Sequence, residues 1–111
     1  QNSKFFPFNI YGTGNKIFNT KNFSDDTTIH IGAEILTIND VGSKEVMAYL
    51  LIRQVRDGNN ENYALWILNN YFSEYYSYHF GHTDSYSLVV KTTNGTEKRV
   101  IVAALKMTDG I

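Results

Sequence analysis

The stretch "IGAEILTIND", Ile31 to Asp40, decides how this chain is read. A glycine precedes a short apolar run in which Ile35 and Leu36 are adjacent and Ile38 follows, and the run stops at a polar pair. Side chains alternate along a strand, so Ile35 and Thr37 are expected on one face and Leu36 and Ile38 on the other. A run that is apolar on both faces and closed by Asn39-Asp40 predicts a short buried strand ending in a turn. The period then becomes helical. Val46, Leu50 and the stem of Arg53 share one stripe, with Met47, Leu51 and Val55 beside it. The segment "SKEVMAYLLIRQVR", Ser43 to Arg56, therefore predicts an amphipathic helix. Ser43 is the expected N-cap, and Gly58 stands where the helix should stop.

Upstream, "FFPFNIYG", Phe5 to Gly12, holds an apolar loop and then an alternation with Phe8 and Ile10 inward. "TGN", Thr13 to Asn15, supplies turn residues, and "KIFNTK", Lys16 to Lys21, reads as the return strand. Downstream, "NENYALWILNNYFSEYY", Asn60 to Tyr76, predicts a second helix capped by Asn59 or Asn60. Leu65, Leu68 and Phe72 should face inward, with Trp66 on a neighbouring, partly exposed stripe. "SYSLVVKT" and "EKRVIVAAL" flank "TNG", a hairpin signal that should bring Leu88, Val90, Val100 and Val102 together. Strand pair, strand, two helices and strand pair, in that order, imply an α+β domain with a small, mostly antiparallel sheet.

With 111 residues, one domain is expected. The absence of cysteine removes disulfides, thiolate metal sites and cysteine nucleophiles together. Ten basic and eleven acidic residues give a net charge of −1, and no basic run provides an electrostatic footprint for nucleic acid. No apolar run approaches the roughly 20 residues needed to span a bilayer. Eight Tyr, seven Phe and one Trp are the unusual feature, because tyrosine suits partly wet contact surfaces. The chain starts with Gln and shows no leader, so it reads as a fragment excised or processed from a longer chain.

Sites of chemistry are few. His79-x-x-His82 with Asp84 has a generic spacing for a metal and reads as a polar loop beside aromatic residues, so no metal or cofactor is expected. His30 reads as an exposed or capped histidine. None of the serines lies in Gly-x-Ser-x-Gly, and Gly12-x-Gly14 is a hairpin turn because no helix follows it. The rings of Tyr71, Phe72, Tyr75, Tyr76, Tyr78 and Phe80 admit two readings, a second small core or an exposed contact patch.

The order Gly-x-x-Ile-Leu-x-Ile-Asn, small turn, helix resembles the central signature of PDZ domains, Gly-Asp-x-Ile-Leu-x-Val-Asn-Gly. Gly32, Glu34, Ile35, Leu36, Ile38 and Asn39 match in type or place; Ala33 stands where Asp is common and Asp40 where Gly is common. With the strand pair before it and the hairpin after it, the resemblance covers most of the chain. Arg56 to Gly81 insert a second helix and an aromatic segment (about 57–84 in all). With "FPF" near the start, that insertion is similar to the PDZ-like domain of Bacteroidetes-type C-terminal processing (tail-specific) serine peptidases. The resemblance implies one PDZ-like domain over 1–111, a small antiparallel sheet or partial barrel with one groove helix. It also implies a catalytic domain with a Ser–Lys dyad elsewhere in the same chain, no catalytic residue in this fragment, and an exported, periplasmic or envelope setting.

The partner implied is a polypeptide segment or chain terminus, recruited or positioned for cleavage. One groove wall would be the helix from Ser43, with Val46 and Leu50 as candidates, although both also read as core. The other would be the strand Phe8 to Tyr11, whose free edge can take up an extended peptide. On this reading the buried strand crosses the back of the sheet. Phe5, Phe6, Pro7 and Phe8 occupy the place of the loop whose N–H groups hold a terminal carboxylate, and Asn9 and Ile10 continue the edge. Pro7 has no N–H, so carboxylate capture should be weak. The alternative is a structural interaction domain whose groove is filled by its own aromatic insertion and which packs on the catalytic domain or another subunit.

Overall fold

A computed structural model describes residues 2–108. The elements run β1 (Asn2–Phe5), β2 (Phe8–Gly12), β3 (Ile17–Asn22), β4 (Glu34–Ile38), β5 (Val41–Gly42), α1 (Ser43–Arg56), α2 (Glu61–Phe80), β6 (Ser85–Lys91), β7 (Glu97–Ala103) and β8 (Leu105–Thr108). The main sheet has the order β2-β3-β4-β6-β7, with β5 hairpinned onto β4, and every described pairing is antiparallel. Its ends do not meet, so the sheet is not closed into a barrel. The architecture is α+β and consistent with a small PDZ-like domain. A separate ribbon pairs β1 with β8.

The decisive stretch is the middle strand of the sheet, flanked by β3 and β6, rather than a strand crossing its back. Its strict alternation is broken. Ile35 lies opposite Val90 and Thr37 opposite Val89, so Leu36 is the extra residue of a bulge. The bulge turns Ile35 and Ile38 to the same side, and both are fully buried. Leu36 and Thr37 are only half-buried. Ile38 then pairs with Val41 across a two-residue turn in which Asn39 and Asp40 have φ of 50° and 67°. Both central residues of such a tight hairpin must be left-handed, and this is where the PDZ signature prefers Asn-Gly.

Helix α1 spans the expected residues, but Gly42 is its N-cap and contributes no side-chain bond; Ser43 is the first helical residue. The helix ends at Asp57, followed by Gly58 at φ 98°. Asn60 caps α2 by accepting the Tyr63 N–H at 2.9 Å. This helix runs to Phe80, one turn beyond the expected end, and bends at Tyr71, whose φ of −135° is not helical. Leu68 and Phe72 are buried, Leu65 is half-buried and Trp66 is exposed. In the last hairpin Leu88 faces Val100 and Tyr86 faces Val102. The core joins Ile17, Ile35, Ile38, Val46, Met47 and Leu50 to the aromatic set around Phe6.

Candidate functional site

Strand β2 is an edge strand, paired only with β3. The Pro7 carbonyl accepts the Phe23 N–H, and the Thr13 N–H donates to the Lys16 carbonyl, so odd-numbered positions face the hairpin. Alternation turns the backbone groups of Phe6, Phe8, Ile10 and Gly12 to the other side. That side is the free edge on which a PDZ domain would receive a peptide.

Helix α2 lies there, packed on β2 and α1 at once. It carries a stripe of short polar side chains, Asn69, Ser73 and Ser77, at successive four-residue steps. The Gly12 N–H donates to Asn69 Oδ1 at 2.5 Å. The Phe6 N–H donates to Ser77 Oγ at 3.3 Å, and the Ser73 hydroxyl donates to the Phe6 carbonyl at 2.6 Å. Both ends of the free edge are thus satisfied by side chains of the same chain. At Gly12 the approach is close, since a Cβ there would stand 2.7 Å from Met47 Cε, the end of a flexible side chain, and 3.3 Å from Asn69 Oδ1.

The residues expected to line an open groove are placed as follows. Phe6, Pro7, Phe8, Ile10, Val46 and Leu50 are all buried, Phe5 is half-buried and Asn9 is exposed. Val46 and Leu50, at 0% and 1% exposure, are core residues beneath the helices rather than the wall of an open cleft. Phe6 is the hub of the aromatic cluster, with ring centroids 5.3 Å from Phe8 and Tyr86 and 5.4 Å from Phe72 and Tyr76. Edge-on and offset contacts of this kind add to area burial. The core reading of the aromatic segment therefore holds for Phe72 and Tyr76, with Phe80 stacked on Tyr76 at 4.7 Å. Burial pushes the Tyr76 phenol well above its ordinary range, and the neighbouring Tyr86 adds to the rise. Tyr71 and Tyr78 lie outside that core and are exposed.

His79, His82 and Asp84 do not converge. The His79 ring meets Tyr49 edge-on, His82 Nδ1 lies 2.5 Å from the Lys4 carbonyl, and Asp84 pairs with the Lys4 ammonium. That hydrogen bond and charge hold the Asp84 carboxyl below its usual range. Among the described residues no three metal-ligating side chains come together. Among them, too, no helix is long and apolar enough to cross a membrane.

Sequence reasoning did not single out Asn69, Ser73 and Ser77. The available signal was their spacing, which sets them beside Leu65, Leu68, Phe72 and Tyr76 on the inward stripe, where a polar group needs a partner.

No family model matches the sequence, and no curated protein matches it. Solved structures do. Mature CPAF is similar with a TM-score of 0.61 at 16% identity, and CPAF complexed with lactacystin with 0.60 at 21%. An alanine mutant of CPAF gives 0.59 at 15%. Each covers 99% of this chain, whereas the chain spans only about a fifth of those proteins. CPAF is a serine protease. The likeness is one of fold: this domain is shaped like about a fifth of CPAF.

Proposed function

We propose that this chain is the PDZ-like module of a serine peptidase and serves as a structural and regulatory domain whose ligand groove is closed by its own second helix. The observation that carries this reading is the satisfaction of the β2 edge by Asn69, Ser73 and Ser77. An edge strand with unpaired backbone groups is a template for another chain, and covering it with a helix removes the template. In the PDZ arrangement the Phe6 N–H would serve a ligand carboxylate, but in this chain it donates to Ser77 Oγ. Pro7 has no N–H to add. Such a module would act by packing on, and positioning, a catalytic domain in the same chain. The likeness of fold to CPAF supports the peptidase context. The sequence resemblance supports the finer parts: a C-terminal processing peptidase of Bacteroidetes type, a Ser–Lys dyad outside this fragment, and an exported, periplasmic or envelope setting.

A second reading, recruitment of an extended polypeptide substrate along β2, is favoured by one observation. Among the described residues α2 bonds only the ends of the edge, and the outward backbone groups of Phe8 and Ile10 receive no side chain from it. Titration of the ¹⁵N-labelled domain with one apolar peptide, as free acid and as amide, separates the two readings. The closed groove predicts no saturable shift at Phe8 to Gly12 with either form up to millimolar concentration. Saturable micromolar binding there would overturn it in favour of recruitment.

A further inference from the structure

Two contiguous depressions lie beside the closed groove, sharing Phe5 and Glu74. The smaller, about 160 Å³, is walled mainly by the apolar Phe5, Phe6, Phe8, Phe23 and Leu105, with Asn9, Ser73 and Glu74 also in its lining. The larger and more open one, about 470 Å³, is lined by Phe5, Glu74, Tyr75, Tyr78 and His82. Its chemistry is of one kind. Phe5 and His82 meet edge to face at 5.3 Å. Since a carbonyl only accepts, His82 donates from Nδ1 to the Lys4 carbonyl, which fixes the ring against Phe5. Glu74 is exposed and, among the described residues, has no ion-pair partner. Lys4, the residue before Phe5, is paired with Asp84. Four aromatic rings counting His82, one carboxylate without an ion-pair partner among the described residues, and no lysine or arginine in the lining make a surface complementary to a cation.

We propose that this strip is a docking site for a polypeptide segment that presents a Lys or Arg side chain to the aromatic depression and an apolar side chain to its neighbour. The sign of charge is opposite to that of a carboxylate-binding groove, so the site goes beyond the closed-groove reading and does not depend on it. Lys21 already lies over the Phe23 ring at 5.1 Å, which shows the same contact made within the chain. Phe23 lines only the apolar depression, so the aromatic one stays open to an outside cation.

The test is a titration of the ¹⁵N-labelled domain with acetyl-Ala-Phe-Gly-Lys-Ala-amide and with the same peptide carrying norleucine for lysine. The expected shifts gather at Glu74, Tyr75, Tyr78 and His82, and the norleucine peptide binds about tenfold more weakly, because an exposed cation–π contact and an exposed ion pair each contribute a factor of roughly two to five. Glu74→Gln weakens the lysine peptide about threefold and Tyr78→Ala by a similar factor, with thermal melts unchanged because both side chains are exposed. Equal affinity for the two peptides, or no binding of the lysine peptide up to about ten millimolar, overturns the proposal. Shifts confined to Phe8 to Gly12 also overturn it, and they would count against the closed groove as well.

Discussion

Replacing Ser77 by alanine probes how α2 is held on the edge. Ser77 and Phe6 are 0% and 1% exposed, so the Phe6 N–H that donates to Ser77 Oγ at 3.3 Å has no route to water in the folded state. Removing one partner of a buried hydrogen bond costs the desolvation of the group left behind, about 1–3 kcal/mol. The long donor–acceptor distance puts this bond in the lower half of that range. Alanine is a better helix former than serine, which returns up to about 0.5 kcal/mol. The net expectation for Ser77→Ala is a loss of about 0.5–2 kcal/mol. Urea denaturation measures it as a lower midpoint at unchanged slope. Ser73→Ala removes the donor to the carbonyl of the same residue, at about 0.5–1.5 kcal/mol, and the two substitutions should not add, since both serve Phe6. A Ser77→Ala variant as stable as the wild type, with strict additivity in the pair, would refute the view that these hydroxyls fasten the helix to the edge.

Asp40→Gly should stabilise the domain by about 0.5–1.5 kcal/mol, because a left-handed non-glycine residue costs roughly 1–2 kcal/mol. The exposed Arg99–Asp40 pair that it loses, at 3.1 Å, offsets only part of that gain. Thermal melting is the check, and a fall in midpoint would contradict the turn assignment. Tyr86→Phe should leave stability unchanged or raise it by up to about 1 kcal/mol, since the Tyr86 hydroxyl is buried without a partner among the described residues. A loss above about 1 kcal/mol by urea denaturation would mean that the hydroxyl is bonded. The Tyr76 phenol is raised in the folded state by burial and then by Tyr86, so its contribution is fully present below its unfolded value near 10.0 and is lost as pH rises above it. Melting midpoints from pH 9 to 11 should fall less steeply in Tyr76→Phe than in the wild type; parallel slopes would contradict the burial of that group.

The α+β class, the strand Glu34–Ile38, the helix Ser43–Arg56 and the terminal hairpin holding Leu88 and Val100 were legible, because each rests on local periodicity and turn chemistry. The bulge at Leu36 was not, since a two-residue alternation cannot reveal an unpaired residue whose cause is the register of β6. By local pattern β8 simply continues β7, and nothing there shows that Leu105 leaves that sheet to pair with Phe5, far away in sequence. For the site, the free edge was read as Phe8 to Tyr11, with a groove filled by the chain's own aromatic insertion as the alternative. Which elements meet across the edge was not legible, because it depends on how α2 returns over β2. The pairing of Phe6 with Ser73 and Ser77 spans some seventy positions, and only the tertiary fold brings them together.

Hydrogen exchange at the Phe6 and Gly12 amides tests the filling of the edge most directly. Both donors point away from β3, and among the described residues their acceptors are Ser77 and Asn69 of α2. The predicted result is exchange as slow as at Ile35 in the middle of the sheet, with both amides opening together when α2 detaches. Exchange at rates near those of an unfolded chain, while Ile35 stays protected, would mean that the edge is open and that α2 does not fill the groove.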